Sequence, residues 1–121
     1  MNYVDGFVVP VPKDRLDEYR KVAEDAGKVW LEYGALQFVE TVADDVPDGV
    51  VTSFPMAVKL EPGEVVVFSW IIYESRAERD RINAKVMADP RISGMDDKTM
   101  PFDGQRMIWG GFSEIARFEL A

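Results

Sequence analysis

The chain has 121 residues, no cysteine, no histidine and a formal net charge of -8. Those counts exclude disulfides, thiolate nucleophiles, Fe–S clusters, Ser-His-Asp machinery and His-bearing metal triads. Any acid or base must be Asp, Glu, Lys, Tyr or Arg, or belong to the ligand.

The length suits one domain with a core of its own. Apolar residues make up 47% and charged residues 30%, an ordinary globular balance. There is no basic run to displace phosphate counterions, so no nucleic-acid partner is expected. An anionic membrane surface would repel the chain, and no apolar stretch approaches a membrane span. The first residues lack the basic start and apolar core of a signal peptide. A cytoplasmic location is the expectation. The acidity is local: residues 40–64 hold six acids against Lys59.

Residues 3–11 mix aromatic and β-branched side chains and predict a first strand. Over residues 13–33, Leu16, Tyr19, Val22, Ala23, Ala26, Val29, Trp30 and Tyr33 recur at spacings of three and four, which predicts a helix capped by Gly34. Residues 35–43 predict a second strand, with Leu36, Phe38 and Glu40 sharing one side. An irregular acidic insert follows at about 44–63. Within it, residues 50–52 are a candidate edge strand, and residues 54–60 a helical turn or another strand. Residues 64–73 predict a third strand, apolar on both faces. Val65, Val67, Ile71 and Tyr73 point one way, and Val66, Phe68, Trp70 and Ile72 the other.

Ser75-Arg76-Ala77-Glu78 matches a capping box. It predicts a second helix to about Ala88, with Ile82, Val86 and Met87 buried, halted by Asp89-Pro90. Residues 90–104 read as a long loop. Residues 105–119 read as a last strand, with Gly110-Gly111 marking a bulge or a close backbone contact. The order β-α-β-(insert)-β-α-β is the split βαβ pattern. It predicts one α+β ferredoxin-like domain over residues 1–121, with a four-stranded antiparallel sheet and two helices on one face.

A sheet with one wet face should alternate apolar and polar residues. The third strand does not. The cheapest cover for its second face is another copy of the same sheet, so a homodimer enclosing an apolar chamber is expected. The alternative cover is the insert at 44–63.

Several segments carry a family resemblance. They are Tyr3-Val4-Asp5-Gly6-Phe7-Val8-Val9, Asp44-Asp45-Val46-Pro47-Asp48-Gly49, Val66-Val67-Phe68-Ser69-Trp70, Met87-Ala88-Asp89-Pro90-Arg91 and the run Met100 to Phe112. Over essentially its full length the chain resembles the YbaA-like family of small bacterial proteins of unknown function. The resemblance implies the dimeric α/β-barrel superfamily, which includes cofactor-free monooxygenases and isomerases. It carries no catalytic residue over.

Candidate site residues follow from chemistry. Glu40 alternates with apolar neighbours and would be a base if it faced the chamber. Arg106 is a candidate clamp for a ligand carboxylate, with Asp103 holding its guanidinium, and Phe102 precedes that pair. Tyr3, Phe68, Trp70 and Trp109 are candidate aromatic lining. The Asp44-Asp45-Val46-Pro47-Asp48-Gly49 run does not have EF-hand spacing and reads as a solvated turn. No metal and no cofactor are expected. The sequence thus points to a small-molecule-binding homodimer, a cofactor-independent enzyme of the monooxygenase or isomerase type being its sharper form. The alternative is a non-catalytic binding or interaction protein with a filled barrel.

Overall fold

The computed structural model describes residues 1–120. Strand β1 (Tyr3–Pro12) leads through a 3-10 turn (Lys13–Arg15) into helix α1 (Leu16–Tyr33). Then come β2 (Gln37–Val42), the one-turn helix α2 (Phe54–Ala57), β3 (Glu64–Tyr73), helix α3 (Arg76–Ala88), the one-turn helix α4 (Pro90–Ser93) and β4 (Ile108–Ser113). The sheet order is β2-β3-β1-β4, and every neighbouring pair is antiparallel. This is the ferredoxin-like α+β architecture.

The helix ends form where local chemistry puts them. Gly34 adopts φ 116°, and its N–H returns to the Leu31 carbonyl at 3.1 Å. A side chain there would be strained, which is why glycine closes α1. Ser75 Oγ accepts the Glu78 N–H at 3.1 Å and opens α3. The apolar stripe of α1 buries Tyr19, Ala23 and Val29, and α3 buries Ile82 and Val86.

Alternation along β1 and β3 sorts the two sheet faces. Phe7, Val9, Val11, Val67, Ile71 and Tyr73 face the helices and build two adjoining cores. Each fully buried aliphatic there contributes roughly 1.5–3 kcal/mol. On the outer face, Val58 from the insert packs on Val8 and Val66, and Phe54 meets Phe68 edge-on. The insert therefore covers one end of that face. Phe68, Ile108 and Phe112 stay 42–61% exposed.

Four sequence expectations change. The last strand spans only Ile108–Ser113, ending level with Tyr3, the first residue of its partner β1. Residues 90–93 of the expected loop form α4, with Asp89 Oδ1 accepting the Arg91 N–H at 2.9 Å. Residues 50–52 are not a strand, and Val50 and Val51 lie exposed. Met87 is exposed at the edge of α3 rather than part of its buried stripe. At Gly110-Gly111 the register runs on without a bulge. A Cβ on Gly111 would collide with Tyr3 Oη, so close approach is what requires glycine there.

Candidate functional site

The helices do not close over the whole inner sheet face. Between that face, α1, α3 and the 94–107 loop lies a cleft of about 580 Å³, a size typical of small-molecule sites. It forms because α1 turns the small Ala23 and Ala26 toward the sheet, while a loop rather than a helix lies over the β4 side. Three methionines of that loop, Met95, Met100 and Met107, line it. The loop is pinned at its middle: Arg15 donates to the carbonyls of Thr99 at 2.9 Å and Met100 at 3.3 Å. Phe102 packs edge-on against Tyr19.

One end of the cleft holds a carboxylate. Glu40 projects inward from β2, and the Tyr19 hydroxyl donates to its Oε1 at 2.7 Å. Ser69 lies directly across the strand ladder, and its nearby hydroxyl favours the charged form. Burial raises the Glu40 pKa above its usual 4.5, and the two hydroxyls only partly offset this. Burial and the nearby Glu40 carboxylate push the Tyr19 phenol well above the usual tyrosine range.

The other end is a hydrogen-bonded chain across four elements. Trp30 Nε1 donates to Asn83 Oδ1 at 3.0 Å, and the Tyr73 hydroxyl donates to the same oxygen at 3.0 Å. Asn83 Nδ2 reaches Asp5 Oδ2 at 3.4 Å. Arg79 Nη1 pairs with Asp5 Oδ1 at 3.1 Å, and Arg79 also donates to the Tyr3 hydroxyl at 3.3 Å. Asp5 is 1% exposed. A carboxylate that deep in a sheet needs its partner, and Arg79 supplies it. Burial is again the main cause that raises the Tyr73 phenol pKa.

Of the residues singled out from sequence, Glu40, Phe102 and Trp109 line the cleft. Tyr3 does not: its ring lies under the Arg79 guanidinium, 5.0 Å from centroid to carbon. Phe68 and Trp70 project from the outer face, with ring centroids 5.6 Å apart, and Trp70 Nε1 donates to Gln37 Oε1 at 2.9 Å. Trp70 borders the cleft only as part of β3.

Arg106 and Asp103 belong to an ion network away from the cleft. Arg106 grips Glu64 through two bonds of 2.7 and 2.6 Å, bonds Asp103 at 2.8 Å and donates to the Lys59 carbonyl at 3.0 Å. All three guanidinium nitrogens are engaged, which leaves no fork for a ligand carboxylate. The guanidinium holds both Glu64 and Asp103 below the usual carboxylate range.

Sequence reasoning missed Tyr19 as the partner of Glu40, and it missed Asp5 and Asn83 altogether. Asp5 did leave a signal, as the one charged position on the inward side of β1. Among the described residues, no group of three or more His, Cys, Asp and Glu side chains is placed to hold a metal ion. No helix among them is long and apolar enough to cross a membrane.

A family profile described as "Protein of unknown function (DUF1428)" matches residues 2–104. The chain belongs to the DUF1428 family. Two members bear this out. The uncharacterized proteins YbaA of Escherichia coli K12 and of Shigella flexneri are each 56% identical over 115 residues, covering 95% of this chain and 97% of theirs. The resemblance carried by the sequence segments is thus confirmed.

Solved structures similar to this DUF1428 chain share its fold at low identity. An uncharacterized NIPSNAP domain protein from Burkholderia xenovorans matches with TM-score 0.57 at 14% identity, covering 97% of this chain and 98% of its own. A candidate antibiotic biosynthesis monooxygenase from Nitrosomonas europaea matches with TM-score 0.54 at 11% identity, covering 94% and 90%. At such identities the likeness is one of fold.

Proposed function

We propose that this DUF1428 protein is a small-molecule-binding homodimer whose ligand site is the cleft between sheet and helices. Glu40 is the group that takes a proton from an apolar or aromatic ligand there, with no cofactor. The observation that carries this reading is the Glu40–Tyr19 pair, a carboxylate of raised pKa at the end of an apolar cleft of about 580 Å³. A carboxylate of raised pKa is one of the acid–base groups left to a chain without histidine. Proton abstraction would open either an isomerisation or a cofactor-independent oxygenation. The cleft, with Glu40, lies on the helix side of the sheet rather than in the chamber expected between two sheets, and its openness supports ligand binding over a purely structural role. The outer sheet face, with Phe68, Ile108 and Phe112 exposed, is the surface proposed to meet the second copy.

The site is tested by a thermal-shift screen of aromatic fragments against the native protein and Ala26→Phe. Ala26 lines the cleft, and a phenyl group there would obstruct its middle. Stabilising fragments are expected to lose about tenfold or more in affinity for the variant. Fragments that bind both proteins equally would put the site elsewhere.

A further inference from the structure

The charge of the cleft is one-sided, and this restricts the ligand. Its lining includes Asp5, Glu40 and Asp97 but no Lys or Arg. Asp5 is neutralised by Arg79, and Asp97 is exposed to solvent. Glu40 is different. Among the described residues its hydrogen-bond partner is the Tyr19 hydroxyl, with the Ser69 hydroxyl nearby and no basic group. Arg20 and Lys28 line an adjoining groove that shares Tyr19, Ala23, Phe38 and Glu40 with the cleft; Arg20 pairs with Asp17, and neither cation forms an ion pair with Glu40. An ionised carboxylate can accept about four hydrogen bonds, so two hydroxyls leave capacity unused. A donor entering the cleft would use it, and a cation would also offset the cost of the buried charge. Trp30 and Phe7 add aromatic surface that favours a cation over an anion.

We propose that the cleft selects a ligand bearing a protonated amine on an aromatic or apolar frame, with the ammonium seated on Glu40 and the frame among Trp30, Phe7 and the loop methionines. This rests on the reading of the cleft as the ligand site. It also excludes carboxylate ligands, which would meet Glu40 with no cation to receive them.

Three probes share one frame and differ in charge: 2-phenylethylamine, 2-phenylethanol and phenylacetate. They are titrated into ¹⁵N-labelled protein, and the indole N–H resonances report position. Trp30 lines the cleft, whereas the Trp70 ring lies on the outer face. The amine is expected to bind about tenfold tighter than the alcohol, the worth of one charge-assisted contact. Phenylacetate is expected to bind at least tenfold more weakly than the alcohol. The shifts should centre on Trp30 and Trp109, with Trp70 unmoved.

In Glu40→Gln the amine-to-alcohol ratio should fall to about one. The ranking on the native protein tests the proposal even if that variant folds poorly. If phenylacetate binds as well as the amine, or if the ratio survives Glu40→Gln, the charge preference is overturned while the cleft stands. If none of the probes moves Trp30, the cleft reading and this inference both fall.

Discussion

At the residue scale, Glu40 makes folding and pH interdependent. Its folded pKa lies above 4.5 because burial disfavours the charge. The folded state therefore holds that proton more tightly than the unfolded chain does. The stabilisation is complete below pH 4.5 and is lost as pH rises through the elevated value. At pH 7 an ionised Glu40 is thus a cost. Glu40→Gln keeps an oxygen to accept from Tyr19 but cannot ionise. The variant is expected to melt about 2–4 °C higher than the native protein at pH 7, with the gain gone by about pH 4. Scanning calorimetry at the two pH values checks this. A gain of equal size at both would show that the titrating acid is another residue. Glu64 and Asp103 behave in the opposite sense. Arg106 lowers their pKa values, so their contribution is present above the unfolded carboxylate range and is lost on acidification.

At the element scale, the Asp5–Arg79 pair ties β1 to α3 across 74 residues of chain. The Arg79 side chain is 13% exposed and that of Asp5 2%. Arg79→Met keeps most of the packing but strands a buried carboxylate, which costs about 3 kcal/mol. Urea denaturation should show that loss. The double variant Asp5→Leu with Arg79→Met should recover much of it, since no charge is then left unpaired. A double variant no more stable than Arg79→Met would mean that the pair holds α3 by geometry rather than by charge balance. The same contrast explains what could be read from sequence. Four strands and two long helices were legible because period-two and period-3.6 patterns, Ser75 and Gly34 are local signals. Glu40 was legible because a single acid broke an apolar alternation. The Tyr19–Glu40 contact was not, because it depends on how α1 lies across the sheet. Asp5 and Asn83 meet only after the whole βαβ unit has folded. β4 ends level with the start of its partner strand, and its own apolar residues, which continue to Leu120, misled the length. Arg106 was legible as a charged hub, but only folding brings Glu64 to occupy it.

At the scale of the whole molecule, surface area argues for a second copy. The described chain presents 8121 Å² to solvent. A folded monomer of 13.7 kDa is expected to present about 6,600 Å². The excess of roughly 1,500 Å² exceeds the ~800 Å² per partner of a standard interface. Much of it is apolar: Phe68, Ile108 and Phe112 on the outer face, and Ile115, Phe118 and Leu120 beyond β4. The native protein should therefore elute as a dimer of about 27 kDa, twice the 13.7 kDa of one chain, by size exclusion with light scattering. Phe68→Asp should shift it to monomer. That ring is 42% exposed in the single chain, so a carboxylate there is solvated in the monomer but buried without a partner in the dimer. A native protein that remains monomeric at about 50 μM would leave the insert at 44–63 as the sole cover of the outer face. The monomeric variant also separates assembly from ligand binding. The cleft lies on the helix side of the sheet and each protomer supplies its own lining, so Phe68→Asp should still bind 2-phenylethylamine. Loss of that binding together with the dimer would mean that the second copy shapes the cleft through the sheet they share.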